Sequence, residues 1–187
     1  MYLTGFADEA APDIAGQIRA TKELGWKYIE SRNIDGVNIH DIADGKFEEV
    51  VGTLADSGVQ INCFGSAIAN WGKQITDPFD ITLEEIERTI PRMQRLGTQL
   101  VRVMSYAVLP DREADDQMEE ERFRRMREMV KMFLDAGLQP VHENCMNYGG
   151  MGWRYTLKLL EEVPGLKLVF DTCNPLITYD YALPKPW

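Results

Sequence analysis

The sequence predicts an α/β fold of parallel strands, and three observations carry that reading. Five helix-like stretches stop at a glycine: Gly25, Gly58, Gly97, Gly137 and Gly165. A short apolar run follows each, in GWKYIES, GVQINCFGS, GTQLVRVMS, GLQPVHEN and GLKLVFDTCN. Each run ends in polar or small residues, and two end in an isolated carboxylate, Glu143 and Asp171. Helix-then-strand alternation requires crossover connections between parallel strands. In such folds, polar residues at the C-terminal strand ends line the ligand site.

Element by element, Leu3–Asp8 reads as the first strand. Pro12 suits a first helical turn, after which Ile14, Ile18, Thr21 and Leu24 form an apolar stripe. Tyr28–Arg32 is the second strand, and Asp35-Gly36 marks a polar turn. Phe47, Val50, Val51 and Leu54 define the next helix, and Ile61–Ser66 the next strand. The loop from Ala67 to Asp80 is long for a compact domain. Thr82 with Glu85 spells a capping box that opens a helix buried through Ile86, Ile90, Met93 and Leu96. Pro91 lies inside that stripe, so a kink or break is expected there. Leu100–Ser105 is a strand. Asp111–Glu128 leads with acids and follows with arginines, which predicts a solvated helix face. Phe123, Met126, Val130, Phe133 and Leu134 supply its buried side. Pro140–Asn144 is a strand, Trp153, Leu157, Leu160 and Val163 mark a helix, and Leu166–Asp171 is the last strand.

The chain has 187 residues, enough for one domain with a full core. A net charge of −10 counts against a nucleic-acid partner, which needs basic groups to displace phosphate counterions. No apolar run is long enough to cross a bilayer, and the first residues lack the basic and apolar regions of a signal peptide. The cysteines, Cys63, Cys145 and Cys173, are odd in number and lack CxxC spacing, as in a cytoplasmic protein with reduced thiols.

Glu143 and Asp171 are the leading chemical candidates. Each follows apolar residues of a buried strand, where a carboxylate must be paired, hydrogen-bonded or bound to a metal. Oxygen ligands of this type suit Mn²⁺ or Mg²⁺ and, with imidazole added, Zn²⁺ or Co²⁺. The alternative is that each caps a helix or pairs with an arginine. Glu30 ends the second strand, and Arg102 lies within the fourth. Arg102 either orients a substrate oxygen or neutralises Glu30 or Glu143. His142, adjacent to Glu143, points to the other side of its strand and reads as a packed histidine. His40 reads as a solvent-exposed histidine, with substrate contact the alternative. Asn144 and Asn174 are placed to hold ligands or substrate through their amides. Trp71, with Phe64 and Tyr106, offers an apolar wall for a sugar ring.

Taken together, GFADEAAPDIAGQIRATKELGWKYIESRNIDG, LGTQLVRVMS, HEN and FDTCNP resemble the sugar phosphate isomerase/epimerase family of xylose isomerase-like TIM barrels. The likeness runs along essentially the whole chain, through the order and spacing of these pieces. It implies a TIM-type (β/α)8 barrel, of which this sequence supplies about six β/α units. It also implies a divalent metal held by Glu, Asp, His and Glu from successive strand ends, the first two falling on Glu143 and Asp171. Family members isomerise or epimerise small sugars and keto acids by proton transfer through an enediolate, so Glu143 would be both ligand and acid/base. Two departures stand out. Asn174 occupies a position where the family often has histidine, and the remaining His and Glu ligands belong to strands seven and eight. On this reading the chain alone is expected to be inactive, or to complete itself through a partner such as a second copy. A sugar dehydratase or lyase, or a non-catalytic binding module, is the competing expectation. A DNA-repair enzyme on the same barrel would need more than the two histidines present.

Overall fold

A computed structural model describes residues 1–177 of the chain. Its strands are β1 (Tyr28–Ser31), β2 (Asn33–Ile34), β3 (Val37–Asn38), β4 (Gln60–Phe64), β5 (Leu100–Val103), β6 (Gln139–Glu143) and β7 (Lys167–Val169). Its helices are α1 (Ile14–Glu23), α2 (Asp44–Ser57), α3 (Phe79–Leu96), α4 (Glu119–Asp135), α5 (Trp153–Glu162) and the single turn α6 (Asn174–Ile177). The expected α/β alternation is present: a five-stranded sheet runs in the order β1-β4-β5-β6-β7, and its β1–β4, β4–β5 and β6–β7 pairs are parallel. All five glycines that punctuate the sequence have positive φ. At Gly58 that value is 74°, a left-handed C-cap that closes α2.

The chain divides into two compact units, residues 1–66 with 87–101, and residues 67–86 with 102 onward. In the first, Ile14 and Ile18 of α1, Ile29 of β1, Phe47, Val50 and Leu54 of α2 and Ile61 of β4 are buried. Leu24 is exposed instead of joining the stripe, because α1 ends one residue earlier. Buried Gln17 lies on the inner face, its amide satisfied by the carbonyls of Pro12 and Asn33. The expected strand over Leu3–Asp8 is reduced to a bridge between Phe6 and Glu30. Asp8 turns the chain there: its Oδ2 accepts from Arg32 Nε at 2.9 Å and Asn33 Nδ2 at 3.0 Å, and Ala7–Glu9 forms a 3₁₀ turn. Asp35-Gly36 closes a β2–β3 hairpin with φ of 51° and 80°, the pair of positive values that a primed turn needs.

The second unit packs Met126, Met129, Val130 and Phe133 of α4 with Val141 of β6 and Leu159 of α5 in its core. The expected capping box fails at α3. The helix opens at Phe79, so Thr82 and Glu85 sit inside it: Thr82 Oγ1 lies 3.0 Å from Tyr106 Oη, and Glu85 pairs with Lys73. The helix also runs unbroken past Pro91, whose exposed position lets water serve the carbonyl that loses its partner. In α4 the charged run is not wholly a solvated face, since Arg122 and Arg125 are buried. Leu134, expected inside, is largely exposed. In α5 the buried positions are Thr156 and Leu159, and the expected core residues Trp153 and Leu157 face outward.

Candidate functional site

The last residue of β6 and the residues just past β7 form a polar cluster in the second unit. Their strands pair in parallel, with Val141, His142 and Glu143 opposite Lys167, Leu168 and Val169. The Glu143 side chain is 7% exposed. Its Oε2 accepts from Arg102 Nη1 at 2.7 Å, and its Oε1 from Asn174 Nδ2 at 3.2 Å. Asp171 is half-buried, and its Oδ1 accepts the backbone N–H groups of Cys173 at 2.6 Å and Asn174 at 3.0 Å. Asn174 therefore donates to both carboxylates, from its main chain to one and from its side chain to the other. Asn144 holds the Asp171 backbone from the other direction: its Nδ2 donates to Asp171 O at 2.8 Å, and its Oδ1 accepts from Asp171 N at 2.7 Å.

The charge of this cluster is felt by its neighbour. Burial, and then the negative charges of Glu143 and Asp171, push the Cys145 thiol up to about 11, against the opposing effect of Arg102. Cys145 is thus a buried thiol, protonated at neutral pH in the absence of a metal.

One residue back along β6, His142 faces a different environment. It is fully buried, with Nε2 3.0 Å from both Ser105 Oγ and Asn147 Oδ1. A carboxamide oxygen only accepts, so the proton sits on Nε2. Burial drives the ring's pKa down to about 4, so the imidazole is neutral. The same Asn147 oxygen receives the Ser105 hydroxyl at 2.6 Å and Gly149 N at 3.1 Å. Gly149 is there because a Cβ would stand 2.4 Å from His142 Cε1. Arg122 closes the network from α4, donating to the carbonyls of Ser105 at 2.6 Å, Ala107 at 2.8 Å and Gln117 at 2.5 Å. Burial lowers its pKa to about 10, which leaves it charged at neutral pH.

Of the residues singled out from the sequence, Glu143, Asp171, Arg102, Asn144 and Asn174 come together, and His142 is the packed histidine expected. Trp71 is 44% exposed in a turn, with no hydrogen bond to the cluster among the described residues. Phe64 and Tyr106 are buried core residues. Glu30 belongs to the first unit, where its N–H bonds Gly5 O. His40, also there, is buried rather than solvent-exposed: its Nε2 is 3.2 Å from Asp41 Oδ2, and Arg88 Nη2 bonds Asp41 Oδ1 at 2.7 Å. The hydrogen bond from His40, then the Arg88 guanidinium, holds the Asp41 carboxyl far below its usual range. Ser105, Asn147 and Arg122 were not singled out. For Arg122 a signal existed: Arg122, Arg125, Met126, Met129 and Phe133 share one helical face.

The sequence model of the xylose isomerase-like TIM barrel family matches residues 18–185. The chain belongs to that family. Solved structures agree in fold. A xylose isomerase-like TIM barrel protein from Mycobacterium smegmatis, in complex with magnesium, is 17% identical with a TM-score of 0.69, over 98% of this chain and 71% of its own. The probable 3-DHS dehydratase of petrobactin synthesis from Bacillus anthracis is 18% identical with a TM-score of 0.71, over 98% and 70%. A D-allulose 3-epimerase from Methylomonas sp., in complex with D-allulose, is 14% identical with a TM-score of 0.71, over 96% and 65%. The xylose isomerase-like chain thus spans 65% to 71% of the length of these three structures. No curated protein matches it. Among the described residues no helix is long and apolar enough to cross a membrane.

Proposed function

We propose that this chain carries the Glu and Asp ligands of a divalent-metal isomerase or epimerase acting on a small sugar or keto-sugar. The observation that carries the reading is the pair of carboxylates at the ends of adjacent parallel strands, tied together through the two donors of Asn174. The donor set fits a hard divalent cation, because both groups offer carboxylate oxygen. Glu143 and Asp171 would hold the ion, which when bound polarises a substrate carbonyl. Glu143 would also take the proton from the carbon next to that carbonyl and return it to the other face or the neighbouring carbon. Arg102 fixes the orientation of Glu143 and balances its charge, through a bond of 2.7 Å.

The family likeness assigns a further His and Glu ligand to two later strands, so turnover needs those groups as well. A dehydratase or lyase reading uses the same proton abstraction and is favoured by the likeness to the Bacillus anthracis protein. Product analysis separates the two, because only elimination releases water.

Mn²⁺ binding tests the proposal. A preformed site gains about 2.7 kcal/mol of stability at a hundredfold excess over its dissociation constant. The melting temperature should rise with Mn²⁺ for the native sequence, and Glu143→Gln should lose the rise. An equal rise in both proteins would refute the assignment.

A further inference from the structure

Asn144, read from the sequence as holding ligands or substrate, bonds the main chain of Asp171. The β6–β7 ladder ends at Glu143 opposite Val169. Past Glu143 the main chain folds on itself, with Cys145 N bonded to Glu143 O at 2.9 Å and Asn147 N to Cys145 O at 2.7 Å. No peptide of β6 is left to face Asp171. The Asn144 carboxamide takes that place, accepting from Asp171 N at 2.7 Å and donating to Asp171 O at 2.8 Å. A side-chain amide has the same donor and acceptor as a peptide unit, so the pairing continues beyond the end of the strand. Asn144 is buried, at 2% exposure, with both ends of its carboxamide engaged by Asp171.

We propose that Asn144 is a positioning residue: it acts as a surrogate strand unit that fixes the Asp171 main chain, and so sets where the second carboxylate stands beside Glu143. The claim about metal rests on the proposed function, while the claim about the backbone does not. Outer groups that orient metal ligands characteristically change affinity by about 10- to 100-fold when removed.

Two readouts on the same protein separate the parts. Amide hydrogen exchange at Asp171 reports the latch, and Mn²⁺ affinity by titration with EPR detection reports the carboxylate pair. Asn144→Ala should speed exchange at Asp171 by about 10- to 100-fold, with Val169 nearly unchanged. It should weaken Mn²⁺ by about 10-fold or more. Thr156→Ala, which removes a buried bond to Gly149 O, controls for general destabilisation and should change neither. Unaltered Asp171 exchange in Asn144→Ala overturns the proposal, as does faster exchange with unaltered Mn²⁺ affinity. If the native chain binds no Mn²⁺, the metal reading falls, and Asp171 exchange alone decides whether Asn144 positions that backbone. Should Asn144→Ala fail to fold, Asn144→Ser is judged by the same criteria.

Discussion

Two sides of one strand, a residue apart, handle buried polarity in opposite ways. The His142 side holds a neutral imidazole among Ser105, Asn147 and Gly149, packed without room for a methyl group. The Glu143 side is charged, and its carboxylate is held by one arginine and one asparagine. A neutral, closely packed network specifies a single arrangement and tolerates no change of volume. A buried charged pair depends instead on compensation of its charge, so losing either partner is costly. Function is therefore expected on the Glu143 side, and rigidity on the other.

The sharpest break of that contrast is Arg102→Ala, which leaves Glu143 buried without its cation. The loss should be about 3–5 kcal/mol in urea melts, and Mn²⁺ should restore a measurable part of it. Removing both charges, as Arg102→Met with Glu143→Leu, should cost far less than the single change. A single change as mild as the double one would mean that the pair is not the electrostatic unit described.

Acid should act on the other side. His142 has a folded pKa of about 4 against an ordinary 6.5, so the unfolded chain takes up the proton first. Stability from this group is whole above 6.5 and is lost as pH falls toward 4, by about 3 kcal/mol in total. Glu121, held near 2 by Arg124 and then Arg125, adds its loss only below about 4.5. His142→Gln should flatten the slope between pH 6.5 and 4.5, and an unchanged slope would contradict a neutral buried ring.

Gly149→Ala places a methyl 2.4 Å from His142 Cε1 and 2.6 Å from Leu159 Cδ1. It should cost about 2 kcal/mol by chemical denaturation, and Mn²⁺ should recover none of the lost packing. Smallest is Asn174→Ala, which removes one neutral donor from Glu143 and should cost about 1 kcal/mol.

The helix stops were legible because a left-handed C-cap favours glycine, and each punctuating glycine has positive φ. The polar cluster was legible in part because carboxylates stand out in apolar strands: Glu143 and Asp171 lie among Arg102, Asn144 and Asn174, and Glu143 pairs with an arginine as the alternative reading has it. What stayed hidden depends on contacts distant in sequence. Thr82 and Glu85 spell a helix start, yet the partners that draw them inside are Tyr106 and Lys73. Arg122 sits in a run of charge, and only the carbonyls of Ser105, Ala107 and Gln117 explain its burial. His40 lies in a polar loop, and no local pattern shows that the fold encloses it.

Of the cysteines, Cys63 and Cys145 are buried and Cys173 is exposed. The Cys173 N–H bonds the Asp171 carboxylate at 2.6 Å. A maleimide fluorophore or a nitroxide would therefore attach to the native sequence at one place, without engineering, within two residues of the proposed ion. Quenching by a paramagnetic metal, or broadening of the nitroxide line, would then measure occupancy at the mouth of the strand pair directly.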